Sequence, residues 1–491
     1  MNPAITPKHA LMKGAAWTIG LRWSVRALGF INTVIMARIL VPADYGIVAM
    51  AFLILGLIQA VLDFGSATAL LRKNEVTRDE IDSAWTFRVI EGVIIGILLA
   101  AGSPLAVWYF GEPRLGPVLW ILAACIVVCS AANIGQTLAQ KEFNFALDFK
   151  IQIIQKTVGV IVTVIAGLLL RDYRALVIGI VVMYLVQLFL SYALHPYRPR
   201  WNVSRIPEIW AVTKWLMFSG IGGYILSKGD ELVAGRIGTT AQYGEYNVGA
   251  DLGLLPVGEV GPAMLRALLP VLASIKEDVA RTQSAVVKIV SALSTIIWPI
   301  GLGFAALAPQ ATQLILGNKW AGSAAIISAF AFASVLRTTF NPLNTLLILQ
   351  GHTKTQMHIV WLEFVGFAIA AILLVPSFHL IGLVYARILG SFVNLTFTAI
   401  FSKRYCQLHL SRVFAAMARP VLGSTMVYLA VKAMVPYLPG MLTQVLVSVL
   451  SGAVIYIVWS LITWHIVGRP EGLESTVIDY ANHKMRREKN A

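Results

Sequence analysis

Apolar runs of about 20 residues, the length a helix needs to cross the hydrocarbon core of a bilayer, follow one another along almost the whole chain. Backbone donors and acceptors in hydrocarbon must be paired within their own segment, so runs of this kind become helices. Of the 491 residues, 58% are hydrophobic and 13% charged, and the mean hydropathy is +0.75. Soluble domains lie nearer roughly half apolar and roughly a quarter charged. An ordinary soluble enzyme, a disordered tail protein and a disulfide-stapled secreted domain are excluded. The expected fold class is an all-α polytopic membrane protein.

Polar breaks divide the chain into about fourteen helices, at 12–39, 45–68, 82–108, 114–138, 150–170, 174–195, 211–236, 245–273, 286–308, 322–348, 358–377, 379–402, 414–436 and 441–467. The longest internal breaks, 195–210 and 402–413, are too short to house a folded catalytic domain. The first apolar stretch is too long for a cleavable signal peptide and carries Arg22 and Arg26. Cys125 and Cys129 stand i,i+4 on one face of an apolar helix and read as packing residues, because no further Cys or His is spaced to complete a metal site.

The balance of 39 Lys+Arg against 24 Asp+Glu gives a net charge of +15. In a soluble protein that excess would suggest nucleic acid. Here its distribution explains it. The N-terminus, the even-numbered loops and the C-terminal tail hold most of the Lys and Arg residues. The odd-numbered loops and helix ends hold only Arg38, Arg114, Arg171, Arg174, Arg236, Lys319 and Lys432. Basic loops stay in the cytoplasm, so both termini are expected there.

The chain also repeats itself. The segment Arg38-Ile39-Leu40-Val41-Pro42-Ala43-Asp44-Tyr45-Gly46 aligns with Arg236-Ile237-Gly238-Thr239-Thr240-Ala241-Gln242-Tyr243-Gly244, and the same register pairs Trp17 with Trp215. Phe110-Gly111-Glu112 after helix 3 echoes Leu316-Gly317-Asn318 after helix 9. Six helices per repeat is an even number, so the two repeats share one orientation and are related by a pseudo-twofold along the membrane normal. The expected organisation is an N-lobe at 1–195, a cytoplasmic inter-lobe loop at 196–210, a C-lobe at 211–402, extra helices 13 and 14 at 403–467 and a basic cytoplasmic tail at 468–491. A two-lobed transporter would place its substrate path between the repeats.

Charges inside the spans mark where to look. Arg22, Arg26, Arg88, Lys156, Lys228, Arg266, Arg337 and Arg387 are basic, and Glu91, Asp230, Glu231, Asp251, Glu259 and Glu363 are acidic. Each charge at the bilayer centre costs about 2.5–3.5 kcal/mol on the lenient insertion scale, so these groups need partners or a wet cavity. Arg22 and Arg26 share a face of helix 1, and Arg88 and Lys156 lie about two turns into helices 3 and 5. Guanidinium and ammonium groups suit phosphate oxygens. One reading is a cationic site for an anionic head group. The other is snorkelling of Arg88 and Lys156 to the interface, with Glu91 as an ion-pair partner. In the second repeat Arg337, near Asn341-Pro342, is a further cavity candidate. Asp230 and Glu259 are candidates for ion coupling, against the alternative of internal pairs such as Lys228 with Asp230 or Glu231. There is no P-loop, no H-E-x-x-H and no G-x-S-x-G, hence no sign of an ATP site or a nucleophile, and no cofactor is expected.

The loop Ala37-Arg38-Ile39-Leu40-Val41-Pro42-Ala43-Asp44-Tyr45-Gly46 and the segment Asp230-Glu231-Leu232-Val233-Ala234-Gly235-Arg236-Ile237-Gly238 resemble the oligosaccharide flippases of bacterial polysaccharide synthesis. These are the Wzx-type members of the multidrug/oligosaccharidyl-lipid/polysaccharide exporter superfamily. Leu316-Gly317-Asn318-Lys319-Trp320 and Gln140-Lys141-Glu142-Phe143 resemble further recurrent segments of that family. The resemblance implies a V-shaped two-lobe fold with alternating access in the bacterial inner membrane. It implies an undecaprenyl-pyrophosphate-linked oligosaccharide as substrate, for exopolysaccharide, capsule or O-antigen (lipopolysaccharide) synthesis, with a polysaccharide polymerase and export machinery as partners. The pyrophosphate would then meet Arg22, Arg26, Arg88 and Lys156. Thr239, Thr240 and Gln242 depart from the first-repeat pattern by losing Pro and Asp.

Three alternatives remain at this level. A lipid II flippase of the same superfamily would also have fourteen helices and a basic cavity. A cation-coupled drug exporter fits less well, because inner cations repel cationic drugs. A polyprenyl-linked polysaccharide polymerase or ligase should carry a substantial outward loop, and the outward loops here are short.

Overall fold

The computed structural model describes residues 7–62, 70, 76–142, 144–275 and 278–468, and the side chains among them other than at 7–19, 208–209, 211–221, 226, 259, 261–273 and 279. Among the described residues every regular secondary-structure element is a helix. Nine of the described helices are long and apolar enough to cross a membrane, or ten if Leu115–Ser130 and Gly135–Lys141, bent by 59°, form one span. The protein is a multi-pass membrane protein. Its contacts divide it into two compact units, Met1–Gly244 and Glu245–Ala491.

In the first unit, α1 (Pro7–Ile39) packs on α5 (Phe145–Leu170), which pairs with α6 (Arg174–Ala193). Small residues permit that pairing. Gly159 and Gly179 face each other's helices, and a Cβ on Gly159 would lie 3.0 Å from the Met183 side chain. α3 (Arg78–Phe110) pairs with α4 (Leu115–Ser130), and α2 (Pro42–Leu62) packs against α7 (Ile206–Ile237). Local chemistry sets the ends of α3. Thr77 and Glu80 form a reciprocal capping box at its start, and Gly111, with φ 67°, closes it in the left-handed region. That conformation explains the Gly in Phe110-Gly111-Glu112, and its echo Gly317 also has positive φ, 98°.

One of the expected spans is broken. The span at 114–138 is broken between Ser130 and Gly135. No proline causes the break. Side chains replace the helical ladder instead, which is one of the few ways a sharp bend is made. Trp85 Nε1 donates to the carbonyls of Ala131 and Ala132 at 3.3 and 3.1 Å, and Tyr192 Oη donates to Ala131 O at 2.6 Å. Asn133 Oδ1 accepts from Gly135 N at 2.9 Å, while its Nδ2 donates to Tyr197 O at 2.6 Å.

The segment from His195 to Arg205 lies along the start of α3. Asp82 Oδ1 accepts from Tyr197 Oη at 2.7 Å and from Arg200 N at 3.0 Å, and Thr86 Oγ1 accepts from Asn202 N at 2.9 Å. Trp85 and Trp201 meet edge to face. Burial and the neighbouring Asp82 carboxylate push the Tyr197 phenol well above its ordinary range.

The second unit contains α8 (Thr240–Ser274) beyond Gly244, α9 (Val279–Ala306), α10 (Ser323–Leu349), the long element Thr353–Cys406, α13 (Leu410–Met434) and α14 (Met441–Ile466). His379, with φ 48° and ψ −131°, interrupts the long element, so 353–378 and 380–406 are two helices, α11 and α12. α9 packs against α10 and α13, α10 against the α11–α12 pair, and α13 against α14. The core of this unit gathers Leu293, Trp298, Val335, Phe340, Leu343 and Val413. Trp298 Nε1 donates to Thr339 Oγ1 at 3.1 Å, so the buried indole keeps its partner. Gly253 brings α8 onto α10, where a Cβ would meet the Ile327 carbonyl oxygen at 2.8 Å.

Candidate functional site

The candidate site is the set of polar groups that the first unit holds within its apolar helices. Lys156 lies over Gly29, so that a Cβ there would lie 3.8 Å from Cε and 3.9 Å from Nζ. Arg26 precedes Gly29 by three residues and Arg22 by seven, both on the same face of α1. The α1–α5 seam therefore places Lys156 at Gly29, about one helical turn from Arg26, with Arg22 exposed a further turn away. Arg26 makes a further interaction of its own.

Two groups on this seam have no obvious signature in the sequence. Asn32 Oδ1, one turn beyond Gly29, and Gln155 Oε1, next to Lys156, are buried without a hydrogen-bond partner among the described residues. A buried acceptor left unpaired costs about 1–3 kcal/mol, so each oxygen is a candidate to receive a donor. An amide inside an apolar run was the only available signal.

Arg88 is placed differently. Its Nε donates to Ser130 O at 3.2 Å, and its Nη2 donates to Ala132 O. It thus helps satisfy carbonyls freed by the break after α4. Its partners are on the α4 side of the unit rather than on α1 or α5.

At the end of this unit that carries the α1–α2 loop, charged groups tie the helix ends together. Asp44 accepts from Val41 N at 3.1 Å and from Tyr173 N at 3.1 Å, joining the α1–α2 and α5–α6 loops. Gln242 takes the corresponding position in the α7–α8 loop and accepts from Thr239 N at 2.9 Å. The sequence departure at Gln242 thus keeps the geometry, because the longer amide reaches the same backbone donor. Glu112 receives a bidentate Arg114, 2.8 Å on each arm, and Thr240 Oγ1 at 2.7 Å. The Arg114 guanidinium holds the Glu112 carboxyl down at about 2, against the upward push of burial. Arg236 donates to Tyr109 O at 2.6 Å and lies over the rings of Trp108 and Tyr109.

Asp230 and Glu231 are buried on α7, and Glu231 pairs with Lys228. Arg337 is an exposed position of α10 in the second unit. The Glu259 side chain, Arg266, and the side chains of Trp17 and Trp215 lie outside the described residues. Cys125 and Cys129 are free thiols with Sγ atoms 3.9 Å apart.

Helices of this length and polarity, grouped in two units, define the class: a polytopic helical membrane protein with buried charged and amide groups. Its fold is similar to that of the lipid II flippase MurJ in an inward closed conformation, at 14% sequence identity and a TM-score of 0.69, covering 92% of this chain and 99% of that one. Residues 35–325 match the family described as polysaccharide biosynthesis protein, and the chain belongs to that family. Relatives include the lipopolysaccharide biosynthesis protein WzxC of Escherichia coli, 23% identical over 70% of each chain. Another is the teichuronic acid biosynthesis protein TuaB of Bacillus subtilis, 22% identical over 86% of this chain and 87% of that one.

Proposed function

We propose that this protein is a flippase that carries undecaprenyl-pyrophosphate-linked oligosaccharide repeat units across the bacterial inner membrane by alternating access, without enzymatic chemistry of its own. The carrying observation is membership of the polysaccharide biosynthesis family, over residues 35–325, on a chain that spans the membrane many times. The fold supports the same class of cargo, since the similar MurJ structure is that of a lipid II flippase. In this reading α1 to α14 are fourteen spans, six plus six in parallel repeats with α13 and α14 added, and both termini are cytoplasmic.

The α1–α5 seam supports a division of labour. Arg26 and Lys156, with Arg22 beside them, meet the pyrophosphate oxygens through charge-assisted hydrogen bonds. Asn32 and Gln155 accept from sugar hydroxyls, which are donors of the kind their unpaired oxygens lack. Arg88 contributes a fixed positive charge while bracing α4. Polymerase and export machinery act on the delivered units.

The test is to deplete the protein in its host and determine which leaflet holds lipid-linked oligosaccharide. Accumulation on the cytoplasmic face with loss of surface polysaccharide is the expected result. Completed units collecting on the outer face would overturn the proposal and favour a polymerase or ligase.

A further inference from the structure

A polar chain crosses the second unit from α11 through α12 to α10. Asn394 Nδ2 on α12 donates to Glu363 Oε2 on α11 at 2.8 Å. Thr398 Oγ1, one turn further along α12, donates to Asn344 Oδ1 on α10 at 2.9 Å and stands 3.3 Å from Asn394 Oδ1. Asn394 is 8% exposed and Thr398 is fully buried. The helices are close here: a Cβ on Gly390 would lie 3.4 Å from the Glu363 carbonyl oxygen, and one on Gly366 would lie 2.8 Å from Val393. This close approach fixes α12 against α11 beside Asn394.

Glu363 forms no ion pair among the described residues, and Asn394 is its one hydrogen-bond partner there. Besides Glu363, the charged and titratable groups on these helices are Arg337 on α10, Lys354 and His358 on α11, and Tyr385, Arg387, Lys403, Arg404, Tyr405 and Cys406 on α12. Arg337 and Arg387 each stand seven residues, about 10 Å along the axis, from Asn344 or Asn394 on the same helix face. A carboxylate inside a membrane protein, held by a neutral amide, is a functional site by default.

We propose that Glu363 is a proton site, and that the Asn394 amide transmits its charge state through Thr398 to Asn344 on α10. An ionised carboxylate only accepts, so Asn394 must turn its NH2 towards it and its carbonyl towards Thr398. Thr398 has one hydrogen and two carbonyls competing for it, and the longer 3.3 Å contact is the one left short. When one proton from water adds to Glu363, the carboxyl becomes a donor. The amide then rotates, its carbonyl accepting from Glu363 and its NH2 donating to Thr398 Oγ1, whose own hydrogen stays on Asn344. Every donor then has its own acceptor, and α11, α12 and α10 are tied by one continuous chain. A metal cation is less suited to the observed arrangement, because an NH2 group faces the carboxylate.

The proton site stands on this geometry; its use in driving transport rests on the function proposed above. The test uses the purified full chain in lipid nanodiscs, without substrate, so that its failure is separate from failure of the flippase reading. Infrared difference spectra taken across a pH titration should contain a protonated-carboxyl band that is lost in Glu363→Gln. The protection factor of α10 amides around Asn344, taken relative to the intrinsic exchange rate at each pH, should rise about fivefold on protonation in the wild type, the worth of one added neutral hydrogen bond. It should be high at every pH in Glu363→Gln, which mimics the protonated form, and low at every pH in Thr398→Val, which cuts the chain but keeps the band. Retention of all titrating bands in Glu363→Gln overturns the proposal. So does α10 exchange that follows sodium concentration rather than pH.

Discussion

Gly46 and Gly244 stand against each other's loops. A Cβ on Gly46 would overlap the carbonyl oxygen of Thr240, and a Cβ on Gly244 would overlap the carbonyl oxygen of Pro42. The register that aligns the two loops in sequence also maps Pro42 onto Thr240 and Gly46 onto Gly244, so the contact is reciprocal. Reciprocity of this kind belongs to two-fold related surfaces, and it supports the parallel-repeat organisation proposed above. Because the obstructing atoms are backbone, no side chain can turn aside to admit a methyl group. Gly46→Ala and Gly244→Ala should each cost about 1–3 kcal/mol of stability by overpacking, and the double variant should cost less than the sum, since one shift of the loops relieves both. Thermal denaturation in detergent, run as a double-mutant cycle, checks this.

Asp44 and Gln242 occupy matching cap positions but hold different numbers of segments. Asp44 binds backbone donors from two loops and Gln242 binds one. Gln242→Ala should lower stability by about 1 kcal/mol, the usual worth of a cap. Asp44→Ala should cost more, because the α5–α6 loop is released as well. Equal effects in the same melting assay would show that the Tyr173 contact contributes nothing.

Arg26 and Arg88 should separate under substitution. Arg26→Ala is expected to abolish lipid-linked oligosaccharide transport while the protein still accumulates in the membrane. Arg88→Ala is expected to lower thermal stability by about 1–3 kcal/mol, because Ser130 O loses its side-chain donor while Trp85 still serves Ala132 O. Arg88→Lys, with a point charge instead of a fork, should recover only part of that loss. Full transport by Arg26→Ala would remove it from the substrate site.

Glu112 gives the loop end of the first unit a pH dependence. Its carboxyl is held at about 2 in the folded protein, below the ordinary 4.5. A depressed acid contributes stability that is present above pH 4.5 and lost as pH falls towards 2. The melting temperature should therefore decline over that window in the wild type. Glu112→Gln should flatten the decline, and a slope unchanged by this substitution would assign the acid sensitivity to other carboxyls.

Much of the architecture is legible in the sequence because a bilayer constrains a chain so narrowly. Apolar length marks nine of the described helices as membrane-crossing, or ten with the bent pair Leu115–Ser130 and Gly135–Lys141, and the turn at His379 falls where two adjacent apolar runs meet. The aligned loops ending at Gly46 and Gly244 are visible as text, as is the charge on Arg26 and Lys156. What a charge touches is not legible, since spacing along one helix says nothing of the helix opposite. Only tertiary packing gives Arg88 to the broken end of α4, sets Lys156 over Gly29, buries Asn32 Oδ1 and Gln155 Oε1 without a partner among the described residues, and joins Glu363 to Asn344 through α12. The hydrophobic requirement acts on each segment by itself and so can be read residue by residue. Hydrogen bonding between segments depends on which faces meet, and that is decided only when the helices pack.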